Sequence, residues 1–269
     1  IGIGLFTVTG IEKSLAFGLN DTYAIVMGVM TATFGGLIAG YYAAGFTPDE
    51  IRTMILHPDF LLITRGELPL RNKFNFWKRS DDASWFTLKY NFSNNYLQNI
   101  PTNVINSTSI DYLLMEDFSG VCNKMKNNFD SLMVPFRCLA SDIQNKQTIV
   151  FKNGDLASAI RAGMSYPFYL RPLTIDGKLL FDGGLYNNFP SDVLLKDFNP
   201  DYIIGSNVAE KNPPPDDDNI YLQLRNLLMS TTNFQPVCDN GVIIEPWNEM
   251  GTFNFELAER LIDSGYAAT

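Results

Sequence analysis

The chain has little of what several common chemistries need. There is one histidine, His57, just before Pro58 at the end of a helical stretch. A serine–histidine–aspartate triad would need that residue as its base, and a solvated helix-end histidine is the favoured reading. The three cysteines, Cys122, Cys138 and Cys238, have no metal-ligand spacing and make no even disulfide framework. Cys138 lies in a strand-like run and is expected to be a buried thiol. No metal or cofactor is therefore expected. Basic residues are few: 20 Lys and Arg stand against 29 Asp and Glu, a net charge of −9. That excludes a nucleic-acid surface and a polybasic patch for anionic lipid heads. No apolar run reaches the roughly 18 residues of a spanning helix. The longest candidate, Ala24 to Ala44, is interrupted by glycines and threonines. No signal peptide is visible, and a start at Ile1 suggests processing or a fragment.

What is present is apolar. Hydrophobic residues make up 46% of 269, enough for one large domain, with an insertion expected at about 65–130. The organising stretch is Tyr23 to Gly45. An apolar run, Ala24 to Met30, reads as a buried strand and gives way at Thr31-Ala32-Thr33-Phe34-Gly35 to a segment rich in small residues. Strand, sharp turn and close-packed helix form the frame of a nucleophile elbow, usually spelled G-x-S-x-G. Here Thr31 stands at the first glycine position and Thr33 at the serine position.

Either side of that frame, strands and helices alternate. Ile1 to Thr7 reads as a short buried strand, and Gly10 to Asn20 as a short crossover helix. Gly45 suits a helix C-cap. Thr47-Pro48-Asp49-Glu50 then supplies an N-cap, a proline and first-turn acids for a helix running to about His57. From Arg65 to about Asp130 asparagine and serine become frequent, residues 85–92 alternate like a half-exposed strand, and Ser109 to Lys124 reads as a helix with Ile110, Leu113, Leu114 and Phe118 on one face. The insertion covers or flanks a site, or its asparagines are ordinary turn residues.

Further on, Leu132 to Ile143 and Thr148 to Phe151 are expected strands, and Asp155 caps a helix through Met164. Leu173 to Ile175 and Leu179 to Phe181 flank Asp176-Gly177, the preferred pair for a tight I′ hairpin turn. Phe189-Pro190 opens a helix, Tyr202 to Val208 is a strand, Asp218 to Ser230 a helix, Gly241 to Glu245 a strand and Phe253 to Tyr266 a final helix. The alternation implies an α/β fold with a mainly parallel sheet covered by helices on both faces.

The second half resembles the patatin-like phospholipase family, in particular its bacterial cell-envelope members. The resemblance is carried by Val134-Pro135-Phe136-Arg137, Ala140-Ser141-Asp142, Gly154 to Ala162, Met164-Ser165-Tyr166-Pro167, Ile175-Asp176-Gly177 and Asp182 to Pro190, in family order and spacing. Gly35 to Ile51 is similar to the family's helix after the nucleophile. This implies a patatin-like three-layer fold over 1–269, hydrolysis of lipid acyl esters by a serine–aspartate dyad, and a lipid or membrane surface as partner. It further implies a place in the bacterial envelope, at the periplasmic face of the outer membrane, with an outer-membrane β-barrel domain or a protein complex as a further partner.

Residue by residue, the resemblance assigns the base to Asp182 of Asp182-Gly183-Gly184 and the nucleophile position to Thr33. The family's glycine-rich oxyanion loop falls on Thr9 to Ser14, where Gly10, Ile11 and Lys13 are the candidate anion-binding residues and Glu12 opposes a developing negative charge. Threonine can act as a nucleophile, but its β-branch resists the strained elbow backbone and crowds the attacking oxygen. The departures cluster in the first forty residues. They fit drift in an enzyme freed of selection, or a true serine hidden by a faulty N-terminal reading. Two functions follow: a weakly active or inactive binding or assembly component, or a working hydrolase with a residue-33/Asp182 dyad.

Overall fold

The structure, a computed structural model, describes residues 35–73, 103–208, 217–230, 232–235, 237, 240–246 and 255–269. The first helix among the described residues, α1, Gly35–Ala44, has Leu37, Ile38, Ala39, Tyr41 and Ala43 buried, so helix faces on several sides are covered. Small residues make that possible: a Cβ on Gly40 would lie 2.3 Å from Ile160 Cδ1. Helix α2, Pro48–Leu56, has the Thr47 N-cap and first-position proline the sequence predicts, and Glu50 completes a capping box with Thr47.

His57 is the solvated helix-end residue expected, the C-cap of α2 with its side chain 58% exposed. It is the N-cap of a further helix, α3, Pro58–Thr64, and its Nδ1 accepts the Asp59 N–H at 3.2 Å. The solvated helix-end residue thus also caps the next helix, and α3 went unread because Pro58 looks like a stop when it is a first-turn proline.

Helix α4, Thr108–Met125, buries Ile110, Leu114 and Phe118. Phe118 stacks on Tyr41 of α1 with centroids 4.8 Å apart, so this part of the expected insertion belongs to the main core. The 85–92 strand lies outside the described residues.

The sheet differs from expectation. Strands β1 (Cys138–Asp142), β2 (Gln147–Phe151), β3 (Leu173–Ile175) and β4 (Lys178–Asp182) form a four-stranded sheet in the order β2-β1-β4-β3. Every pairing in it is antiparallel. Short polar turns join β1 to β2 and β3 to β4, and a hairpin can only return antiparallel. Parallel pairing among the described residues is confined to β5 (Ile203–Ser206) with β6 (Gly241–Ile244). The fold is α/β, but its described larger sheet is not the mainly parallel one expected. The expected strands at 1–7 and 24–30 lie outside the described residues.

Strand β1 is also shorter than the predicted 132–143. Pro135 has no N–H to give a ladder, while Met133 N–H donates to Ala43 O and Phe136 N–H to Phe129 O, so this stretch ties α1 to the core instead. The I′ hairpin is as predicted, with Asp176 at φ 50° and Gly177 at φ 74°.

Helix α5, Leu156–Gly163, is capped by Asp155, whose carboxylate accepts the Ser158 N–H at 2.8 Å. It packs between α4 and β1. Helices α6 (Ser191–Phe198), α7 (Ile220–Leu228) and α8 (Ala258–Ala268) complete the described fold.

Candidate functional site

Asp182 is the last residue of β4 and is 4% exposed. Strand pairing places it opposite Ala140 of β1. Its backbone N–H donates to Ser165 O at 3.0 Å, and its Oδ1 accepts the Gly184 N–H at 2.8 Å. The carboxylate is therefore oriented by the turn that follows it, Gly183–Leu185, a single 3-10 turn.

The two glycines after Asp182 are needed for space rather than for unusual dihedrals, since neither has a positive φ. A Cβ on Gly184 would lie 2.6 Å from Asn188 Oδ1. Gly183 runs tightly over β1, and Ser141 of that strand donates its hydroxyl to Gly183 O at 3.4 Å. Ser141 and Asn188 were not singled out as site residues, although both sit inside the blocks that carry the resemblance.

Cys138, at the start of β1, connects Asp182 to α1. A Cβ on Gly36, in the first turn of α1, would lie 3.7 Å from Cys138 Sγ. Burial pushes the Cys138 thiol up to about 12, and the Asp182 carboxylate adds to the rise. The thiol is accordingly a neutral packing group, as expected, and its Sγ donates to Ala159 O at 3.3 Å. Helix α1 thus starts over the same cysteine whose proton feels Asp182.

Beside the turn lies an apolar depression lined by Tyr166, Pro167, Phe168, Leu185, Leu228 and Met229, with Arg225 at its edge. Phe168 is held in the left-handed region at φ 65° and is 45% exposed. Ser230 N–H donates to Leu185 O at 2.7 Å, tying the end of α7 to this wall.

Of the residues singled out from the sequence, Asp182 is described. Thr33, Gly10, Ile11 and Lys13 lie outside the described residues. His57 is a surface cap, with its side chain 58% exposed and its Nδ1 turned to the backbone of Asp59. Asp142, in a resembling block, serves the β1–β2 turn: its oxygens accept from Gln144 N, Asn145 N and Asn145 Nδ2 at 2.8–3.1 Å. Those bonds, the Asn145 side chain foremost, hold its carboxyl below the usual carboxylate range. No group of His, Cys, Asp and Glu among the described residues could hold a metal ion.

Comparison with known proteins gives two family matches. The model described as patatin-like phospholipase matches residues 26–195. The model described as glycine transporter matches residues 1–43, so the two overlap at 26–43. Among curated relatives, a patatin-like phospholipase domain-containing protein of Caenorhabditis elegans is 29% identical over 170 residues, covering 60% of this chain and 10% of its own. Patatin-like phospholipase domain-containing protein 7 of Mus musculus is 37% identical over 78 residues, 28% of this chain and 6% of its own. An uncharacterized NTE family protein of Mycobacterium bovis is 34% identical over 61 residues, 23% of this chain and 17% of its own. The chain therefore spans well under a fifth of the length of each of these relatives.

Proposed function

The chain belongs to the patatin-like phospholipase family, and from that premise we propose that it is a lipid acyl-ester binding protein of phospholipase type whose own turnover is weak or absent. The observation that carries the acyl-ester site is Asp182, buried at the end of β4 and oriented by Gly184 N–H and Ser165 O. A base held this way can take a proton from a hydroxyl at the elbow and return it to the leaving alcohol. The apolar wall of Tyr166, Pro167, Phe168 and Leu185 offers an acyl chain a place beside it.

Turnover is limited at the other half of the dyad. Thr33 supplies a hindered secondary hydroxyl, and the Thr9–Ser14 stretch keeps only Gly10 of the glycines of an oxyanion loop. Loss of one oxyanion donor alone typically costs about 10²–10³ in rate. These departures all fall within the stretch similar to a glycine transporter. Thr31 and Thr33 also fall within residues 26–195, which match the patatin-like model. The protein then acts as a binding or assembly component at a membrane surface of the cell envelope, with a lipid surface, and a β-barrel domain or protein complex, as partners. No helix among the described residues is long and apolar enough to cross a membrane.

A second reading, an active hydrolase using a residue-33/Asp182 dyad, is favoured by the intact Asp182-Gly183-Gly184 turn. Hydrolysis of a short-chain p-nitrophenyl ester and of a phospholipid vesicle, with fluorophosphonate labelling, separates the two. The proposal expects faint or no hydrolysis by the unaltered chain, a gain on Thr33→Ser, and loss of that gain on Asp182→Asn. Vigorous Asp182-dependent hydrolysis by the unaltered chain would overturn it in favour of the second reading. No gain in the Thr33→Ser variant would remove the dyad altogether.

A further inference from the structure

Arg161 lies on α5 in a place where a hydrophobic side chain would be ordinary, 3% exposed among Leu156, Ile160, Ala162 and Met164. Its guanidinium serves three acceptors at once. Nε donates to Asp111 Oδ1 at 2.5 Å, Nη1 to Ser165 Oγ at 2.6 Å, and Nη2 to Arg171 O at 2.9 Å. Ser165 closes the ring by donating its own hydroxyl to Arg161 O at 2.9 Å. Asp111 comes from α4, so the charge of the buried cation is balanced from another helix.

Two of those acceptors, Ser165 and Arg171, are the ends of one loop. Between them lie three residues of the apolar wall, Tyr166, Pro167 and the left-handed Phe168. The carbonyl of the first, Ser165, receives the Asp182 N–H at 3.0 Å. The path from charge to base is thus short: guanidinium, Ser165, backbone of Asp182.

We propose that Arg161 is a positioning residue for Asp182, acting through Ser165, and that it also fixes the apolar wall by clamping both ends of the 165–171 loop. The first part rests on the reading of Asp182 as the base. A planar fork with five donors can meet three fixed acceptors, whereas an ammonium is a point charge on a flexible stem. Filling the space alone would not require burying a cation, which carries a desolvation cost that an apolar side chain avoids. Small misplacements of a reacting group are costly for rate while leaving binding largely intact.

The test uses the full chain with Arg161→Lys and, separately, Ser165→Ala, which keeps the carbonyl and removes only the clamped hydroxyl. Amide hydrogen exchange at Asp182 should quicken about tenfold in both, with the amides of the β1–β2 ladder unchanged, because a local opening exposes one bond and a global one exposes all. In a Thr33→Ser background, kcat should fall about tenfold with KM within about twofold of its value. An Asp182 amide that is unchanged, or that quickens only in step with the ladder, overturns the positioning role. If Thr33→Ser shows no hydrolysis while the Asp182 amide responds as expected, the base reading fails and the clamp stands.

Discussion

Gly183 passes so close to Leu139 that a Cβ added to it would lie 2.5 Å from Leu139 O. Both partners are backbone at that point, so neither can swing aside as a flexible side chain would. Gly183→Ala should therefore push the turn off β1, break the Ser141 hydroxyl bond to Gly183 O, and destabilise the fold by about 1–3 kcal/mol, the usual cost of overpacking. Chemical denaturation compared with Gly177→Ala checks this. Gly177 has open space but a left-handed φ, so its loss should be a backbone-strain effect that leaves Ser141 and Gly183 in register.

Asp197 is 7% exposed on its side chain and accepts from Arg137 Nε at 2.7 Å and from Lys152 Nζ at 2.6 Å. Burial opposes its ionisation, but the hydrogen bonds from Lys152 and Arg137 outweigh it, and its carboxyl is held below the usual aspartate range. The sign follows. A depressed folded pKa adds stability above the unfolded value of about 4, and this is lost as pH falls through the folded value. Thermal melts from neutral to acidic pH should show the parent losing stability through that window, and Asp197→Asn should flatten the acid limb. Removing the carboxylate also leaves Arg137, 6% exposed on its side chain, short of a partner. At neutral pH the variant should be destabilised by about 3–5 kcal/mol. A variant as stable as the parent at pH 7 would show that Asp130 alone satisfies Arg137.

Much of this framework could be read before the fold was known, and where it could, a local cause was at work. Asp176-Gly177 fixes its own turn, Thr47 and Glu50 cap each other, and Asp155 caps α5, each within four residues. What escaped was decided by distant partners. Pro135 denies β1 its first half because Met133 bonds to Ala43, some ninety positions away in sequence. Ser141, Asn188 and Arg161 gain their importance from contacts that no spacing rule announces. Helix α3 was missed for the opposite reason, since the His57 bond to Asp59 is local but Pro58 between them reads as an ending. The expected parallel sheet reflects the α/β rhythm, which records alternation and says little about hairpins. The expected oxyanion and nucleophile positions were read only as departures from a pattern, and they lie outside the described residues.

Cys138 should be inert in the folded protein. With its thiol pushed up to about 12 by burial and by Asp182, the thiolate fraction at pH 8 is roughly one in ten thousand. Iodoacetamide at that pH should leave Cys138 unmodified in native protein and modify it in denaturant, as read by peptide mass spectrometry. Rapid native labelling would mean that α1 does not sit over the cysteine as its Gly36 contact requires.

His57 should be dispensable for ester hydrolysis. It caps α3 from the surface, with its Nδ1 committed to Asp59 N–H. Asparagine is a good N-cap, so His57→Asn in the Thr33→Ser background should keep both the melting temperature and kcat close to those of its parent. A loss of about a hundredfold or more, the scale on which a general base acts, would mean that a histidine serves the reaction after all, and Asp182 would have to be reassigned.

The last prediction concerns how the N-terminal departures combine. A nucleophile and an oxyanion hole act on one transition state, the first creating the negative charge that the second stabilises. On the proposed reading, Thr33→Ser alone would restore an unhindered hydroxyl while the oxyanion stretch still carries Glu12. Replacing Thr9–Ser14 by a glycine-rich loop alone stabilises a charge that the crowded Thr33 seldom forms. Groups that work as a unit are strongly non-additive on removal, and restoration should mirror that. The combined variant should exceed the product of the two single gains, with the loop contributing about 10²–10³ only once serine is present. Initial rates on one ester for all four proteins measure this. If the gains simply multiply, or if the combined variant is no faster than Thr33→Ser, the 9–14 stretch does not stand where an oxyanion loop would. The likeness of residues 1–43 to a glycine transporter would then describe a segment with no part in the Asp182 site.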